Sequence, residues 1–185
     1  MERNYKLLTL IGIITIAVFS RLIPHPPNFT PLDAIAIFSG AYLGRKWFSF
    51  VVPLLILFIS DIFLGFYSTI PFVYGAFLIN VWVGILILSK KRNFVRILSS
   101  SLLSSIIFFI VSNFGVWRLE NLYSKDIMGL VNCYIAAIPF LKNTAYAGII
   151  YSFFIFSLFG LLEKWALNLR EKKHACHAIK SARTD

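Results

Sequence analysis

Seven stretches of this chain carry no charged residue: Leu7–Ser20, Ala34–Gly44, Trp47–Ser60, Ile62–Ser89, Ile97–Trp117, Ile127–Leu141 and Asn143–Leu162. A helix needs about 20 apolar residues, each rising 1.5 Å, to cross roughly 30 Å of hydrocarbon. Several of the runs meet that length. The alternative is to bury them in a soluble core, and a chain of 185 residues has too little interior for that. Composition agrees, with 58% hydrophobic and only 14% charged residues, against roughly 45–50% and 25% in soluble domains. The expectation is an all-α membrane protein of about six transmembrane helices, some short or re-entrant, with both termini cytoplasmic.

Breakers divide the runs. Ile62–Ser89 is too long for one span, and Gly65-Phe66-Tyr67-Ser68-Thr69-Ile70-Pro71 reads as an interior turn. Helices are therefore expected over about Trp47–Phe66 and Pro71–Ser89. The run Ala34–Gly44 is too short to span and follows Pro24-His25-Pro26-Pro27-Asn28-Phe29-Thr30-Pro31, a stretch biased to extended backbone. A half-length helix supported by neighbours is expected there. Ile127–Leu141, ending near Pro139, is expected to dip in or to pack across the outer surface, leaving Asn143–Leu162 as the last span. The membrane domain is placed at 1–168, with 169–185 a basic, disordered cytoplasmic tail. Arg3, Lys6 and the run to Val18-Phe19-Ser20 mimic a signal peptide, but the cleavage site is poor, and the segment is read as a retained helix.

The net charge of +10 would suggest nucleic acid in a soluble chain. Here it sorts by side. With the N-terminus inside, 14 of the 18 basic residues are cytoplasmic, leaving Arg21, Arg118, Lys125 and Lys142 outside. That follows the positive-inside bias, and nucleic acid is not expected as a partner. A membrane setting is expected, with lipid as the first partner.

Polar groups in or beside lipid are costly and ask for a reason. The outer half holds Arg21, His25, Asn28, Thr30, Asp33, Asp61, Asn113, Trp117, Arg118, Glu120, Tyr123 and Tyr134. Apolar walls with a few fixed polar groups make a small-molecule pocket. The expected substrate-binding residues are Asn28, Thr30, Asp33, Asp61, Asn113, Trp117 and Arg118. Asp61 has two open readings: ligand contact, or an ion pair with Arg21 or Arg118 that locks helices together. Trp117 and Tyr123 also fit as interface anchors, and Arg118 and Glu120 as solvated loop residues. Asp33 and Asp61 would suit a cation, Arg21 and Arg118 an anion, so electrostatics does not choose.

Other residues read as packing. Ala36, Gly40 and Gly44 form a small-residue stripe that admits a second helix, and Asn80, between Ala76 and Gly84, reads as interhelical glue. Ser101, Ser105 and Ser112 share a face but can bond back to their own helix. No phosphate-cradling G-x-x-x-x-G-K-[ST] loop, H-E-x-x-H pair or G-x-S-x-G elbow occurs. No catalytic residue, cofactor or metal site is expected. Cys133 and Cys176 fit neither a disulfide framework nor a zinc pattern, and His174-Ala175-Cys176-His177 lies in the loose tail.

The segments Arg21-Leu22-Ile23-Pro24-His25-Pro26-Pro27-Asn28-Phe29-Thr30-Pro31, Ser60-Asp61-Ile62-Phe63-Leu64-Gly65, Ser112-Asn113-Phe114-Gly115-Val116-Trp117 and Cys133-Tyr134-Ile135-Ala136-Ala137-Ile138-Pro139-Phe140-Leu141-Lys142-Asn143-Thr144 resemble an uncharacterised family of bacterial multi-pass proteins described as transport proteins. The resemblance runs from about Arg21 to about Lys164. That family is similar, more loosely, to the substrate-binding S components of energy-coupling factor (ECF) transporters. The similarity implies six helices with cytoplasmic termini, a ligand site near the outer face, and a transmembrane coupling subunit with cytoplasmic ATPases. S components dock through Ala-xxx-Ala in the first helix, whereas Ala36-xxx-Gly40-xxx-Gly44 here lies in the second segment. No ligand residue carries over.

Three functions compete. The first is a transport subunit for an unknown small molecule, taken up at the outer polar cluster. The second is a non-catalytic scaffold or assembly protein acting through small-residue helix faces. The third, an intramembrane enzyme with Asp61 or Asp33 as base, lacks a nucleophile or a metal, and no enzyme is expected.

Overall fold

The computed structural model describes residue 12 and residues 15–181, with side chains as far as Trp165. Six helices and no strand occur among the described residues. Helix α1 covers residues 15–22. It is followed by α2 (Leu32–Leu43), α3 (Trp47–Leu64), α4 (Ile70–Val83, continued by a wider π-helical turn Gly84–Leu88), α5 (Phe94–Leu119) and α6 (Ile127–Ser181). Four of them are long and apolar enough to cross a membrane: α3, α4 with its π turn, α5 and the Ile127–Trp165 part of α6. Residues 1–11, on which the signal-peptide reading rests, lie outside the described residues, as do the side chains of His174, Cys176 and His177.

Helix α2 organises the rest. Its 12 residues rise only about 18 Å, too little to span. Apart from Asp33 and Ser39 its sequence has no polar face, which suits a helix enclosed by protein rather than one with a wet side. Residues Leu32–Ala41 are indeed all buried, and α3, α4, its π turn, α5 and α6 all pack around α2. The fit is closest at two glycines. A methyl group on Gly40 would overlap the Val81 carbonyl oxygen, and one on Gly84 would overlap the Ile37 carbonyl oxygen. Ala36 and Ala76 are fully buried on the same helices. Gly44, expected in the same stripe, serves the backbone instead. It ends α2 at φ 66°, a conformation glycine adopts without strain, and open space lies where its side chain would be.

At the end of the bundle away from Asp33, arginines hold the chain ends of α2 and α4. Arg92 donates to the Ala41 carbonyl at 3.1 Å and lies 3.9 Å from the Tyr42 ring centroid, and Arg96 donates to the Ile87 carbonyl at 3.0 Å. Cations placed at helix C-termini satisfy carbonyls that lack an intrahelical partner.

Helix α6 departs from expectation. Ile127–Leu141 neither dips back nor lies across a surface, but runs directly on into the last span. Its 134–153 stretch is antiparallel to α5. Tyr134 donates to the Ile110 carbonyl at 2.8 Å, Ser105 donates to the Thr144 carbonyl at 3.4 Å, and Phe94 stacks on Phe153 at 4.7 Å. Pro139 removes one backbone donor without ending the helix, because packing on α5 holds both sides of it. Lys142, expected outside, therefore sits about four turns into α6 on an exposed face. The helix also continues through residues 169–181, where a disordered tail was expected.

Candidate functional site

The segment 23–31 is largely exposed up to Asn28 and passes through buried Pro31 into α2 inside the bundle. Asn28 takes a left-handed backbone (φ 62°), which asparagine tolerates better than most residues. Thr30 N–H bonds back to the Asn28 carbonyl at 3.1 Å, and Asn143 of α6 donates to the Pro27 carbonyl at 3.0 Å. Phe29 reaches the Tyr151 ring, 5.9 Å between centroids. These contacts tie the proline-rich segment against α6 and place the start of α2 deep among the other helices.

Above that start lies an open cavity of about 640 Å³. Its lower part is formed by Thr30, Leu32 and Asp33, and its walls by Leu57 of α3, Val73 and Phe77 of α4, and Phe108, Ser112, Asn113 and Val116 of α5. Cys133, Ala136, Ala137, Phe140 and Thr144 of α6 close the far side, and Tyr67, Leu122 and Tyr123 come from the loops at its mouth. Burial and the Asp61 charge push the Tyr67 phenol above its ordinary value, so it stays a neutral hydroxyl.

Asp33 is 4% exposed and belongs to the cavity lining. Its Oδ1 accepts from Asn80 Nδ2 at 2.8 Å and from Ser104 Oγ at 3.3 Å. Asn80 Nδ2 also donates to the Ser104 carbonyl at 3.3 Å, so three helices meet at this carboxylate. Asp33 stands in the first turn of α2, where the helix dipole favours a negative charge. Among the described residues, no cationic nitrogen lies within 4.0 Å of it, Oδ2 receives no hydrogen bond, and buried Asn80 Oδ1 has no partner.

Asp61 is fully buried and does not line the cavity. Its Oδ1 lies 2.9 Å from Arg21 Nη1, and its Oδ2 accepts from the Tyr74 hydroxyl at 3.0 Å. Arg21 also donates to Ser60 Oγ and, at 3.5 Å, to the Leu57 carbonyl, while its side chain contributes to the cavity wall. Of the two open readings, this geometry is the interhelical lock between α1, α3 and α4.

The remaining expected site residues separate. Asn28, Thr30, Asp33 and Asn113 share the one cavity. Asn113 uses its amide N–H on the Phe109 carbonyl of its own helix, at 2.8 Å. Trp117 is off the wall, donating to the Ser124 carbonyl at 2.9 Å and so fastening the loop between α5 and α6. Arg118 is exposed and also off the wall. His25 lines the cavity with Nδ1 2.8 Å from the Pro26 carbonyl, and no group of three or more acidic, histidine or cysteine residues able to hold a metal occurs among the described residues. The serine face of α5 mostly bonds inward: Ser105 to the Ser101 carbonyl and Ser112 to the Phe108 carbonyl, with Gly148 packed over Ser101 and Ser105.

Sequence reasoning missed the α6 wall. Cys133, Ala137, Phe140 and Thr144 recur at intervals of four, three and four, which is one face of a helix. That face is visible only if the chain is read as helical through Pro139.

The chain matches a family of unknown function (DUF6580) over residues 1–171, and it belongs to that family. No curated protein and no solved structure matches it.

Proposed function

With membership of a family of unknown function as the premise, we propose that this chain is a substrate-binding membrane subunit of a small-molecule uptake system, similar to an ECF S component. The observation that carries the reading is the cavity: the end of segment 23–31 and the buried half-helix α2 give it a polar floor around Asp33 beneath walls that are mostly apolar. Deep, largely preformed concavities with few polar groups are how proteins hold small ligands. The cavity opens at the end of the bundle opposite Arg92 and Arg96. By the positive-inside bias that basic end is cytoplasmic and the mouth faces out, in a bacterial cell membrane, with six crossings and both termini inside. In this reading, as the similarity to S components implies, energy comes from a transmembrane coupling subunit with cytoplasmic ATPases. Release inward follows a change in exposure of the cavity as the subunit rocks against its partner.

Native mass spectrometry of the gently purified protein tests this. A retained small molecule at one per chain supports it, and bound protein subunits without any small molecule count against it. The scaffold reading gains nothing from the structure, because Ala36, Gly40 and Gly84 are already occupied by contacts within the chain.

A further inference from the structure

We propose that the cavity takes a small organic cation, with Asp33 as its counter-ion; this rests on the ligand-binding reading above and names the ligand's class. Arg21 and Asp33 are a basic and an acidic side chain on the same wall. The charge of Arg21 is matched by Asp61 at 2.9 Å, whereas Asp33 meets only the neutral donors of Asn80 and Ser104, and both on one oxygen. A carboxylate removed from water without a cation is costly to keep. Arg118, Lys125 and Lys142 do not serve it: all three are off the wall, and Lys125 Nζ is already used by the Trp117 and Glu120 carbonyls. The ambiguity left by the sequence thus resolves into one matched pair and one unmatched anion.

The surroundings specify an organic cation. Five aromatic rings line the same space, from Tyr67, Phe77, Phe108, Tyr123 and Phe140. Ring faces attract ammonium groups, the more so when both are desolvated. A bare inorganic cation needs about six or more oxygen ligands for Ca²⁺ and near-octahedral oxygens for Mg²⁺, and Asp33 is the one carboxylate among the described wall residues. A cavity of about 640 Å³ has room for an amine with an apolar or aromatic body.

The test uses the purified full-length chain in detergent and three probes of one shape: benzylammonium, benzyl alcohol and benzoate. Saturable binding is read by intrinsic fluorescence, and any molecule retained through purification is released and its charge at neutral pH read by electrophoresis. Benzylammonium should outcompete the other two, any retained molecule should be cationic, and Asp33→Asn should weaken cation binding by about 30-fold or more and so remove the preference for benzylammonium over benzyl alcohol. The variant is built to fold, since the new amide can donate to the unpartnered Asn80 Oδ1. Should it not, Phe108→Leu keeps the carboxylate, removes one ring, and should cost the cation about fivefold and the alcohol little. A retained anionic or neutral molecule, or equal binding of all three probes, overturns the cation but keeps the binding subunit. Saturable binding of none of them, with nothing retained, overturns both.

Discussion

Asp61 and Asp33 are both buried carboxylates, and both are surrounded by helices, yet the molecule treats them in opposite ways. Around Asp61 the chain supplies a guanidinium at 2.9 Å and a tyrosine hydroxyl at 3.0 Å, and it keeps the group off the cavity wall. Around Asp33 it supplies an amide and a hydroxyl on one oxygen and puts the residue on the wall. An anion with its cation built in is a fastening between helices. An anion held only by neutral donors, beside empty space, is where a ligand can supply the missing charge. Burial alone does not distinguish the two; the partner does.

The strongest way to break this contrast is to remove the partner at the first corner. Arg21→Met strands Asp61 and should cost about 3–5 kcal/mol in thermal or denaturant unfolding in detergent. Arg21→Met with Asp61→Leu should recover much of that loss. If the single and double variants unfold alike, the pair is not a lock. Next comes the contact that presents Asp33 to Asn80. Gly40→Leu drives a side chain into the Val81 carbonyl and should cost about 1–3 kcal/mol or more, with loss of ligand binding following the loss of fold. Gly44→Ala, on the same helix but facing open space, should cost only the left-handed backbone, about 1–2 kcal/mol.

At the second corner the expectation reverses. Asp33→Asn should change stability by no more than about 1 kcal/mol, the net worth of one hydrogen bond, although it abolishes the anion. A collapse in melting temperature there would make Asp33 as structural as Asp61.

The smallest effect belongs to a third carboxylate, fully in water. Asp126 accepts from Gly129 N–H at 2.6 Å and from the Ser124 hydroxyl at 2.7 Å, and these bonds hold it below its ordinary pKa of 3.8. Because the folded value is the lower one, its stabilising contribution is complete above the unfolded pKa and fades as pH falls through the folded one. Asp126→Ala should lower the melting temperature slightly at pH 7, and the difference from the parent should shrink below about pH 4. A gap that stays constant down to pH 2 would remove the carboxylate as its source.

Much of the fold was legible along the chain. The charge-free runs mark α3, α4 and α5 to within a few residues, Gly65 ends α3 at φ 92°, and the prolines before Asp33 announce a helix too short to span. These are local matters, decided by backbone chemistry and by the length of apolar stretches. Helix α6 was not legible, because Pro139 and Lys142 are breakers by local rules and are overruled by the α5 surface behind them. Nor was the difference between Asn113, on the wall, and Trp117, one turn later on the same face and off it, since only the return of the α5–α6 loop onto Trp117 engages that ring.

What the sequence by itself determined is therefore the solvent, the approximate helices and the inventory of polar groups that lipid would not tolerate unaided. Only the tertiary structure decided the partners. Arg21 could meet Asp33 or Asp61 as far as chain order goes, and the choice was made when α1 packed beside α3 with Ala17 and Val18 in a common core with Ile56 and Leu57. Hydropathy is a property of each residue and adds up along the chain. Charge pairing depends on distances of a few ångströms between helices far apart in sequence, and packing alone sets those distances.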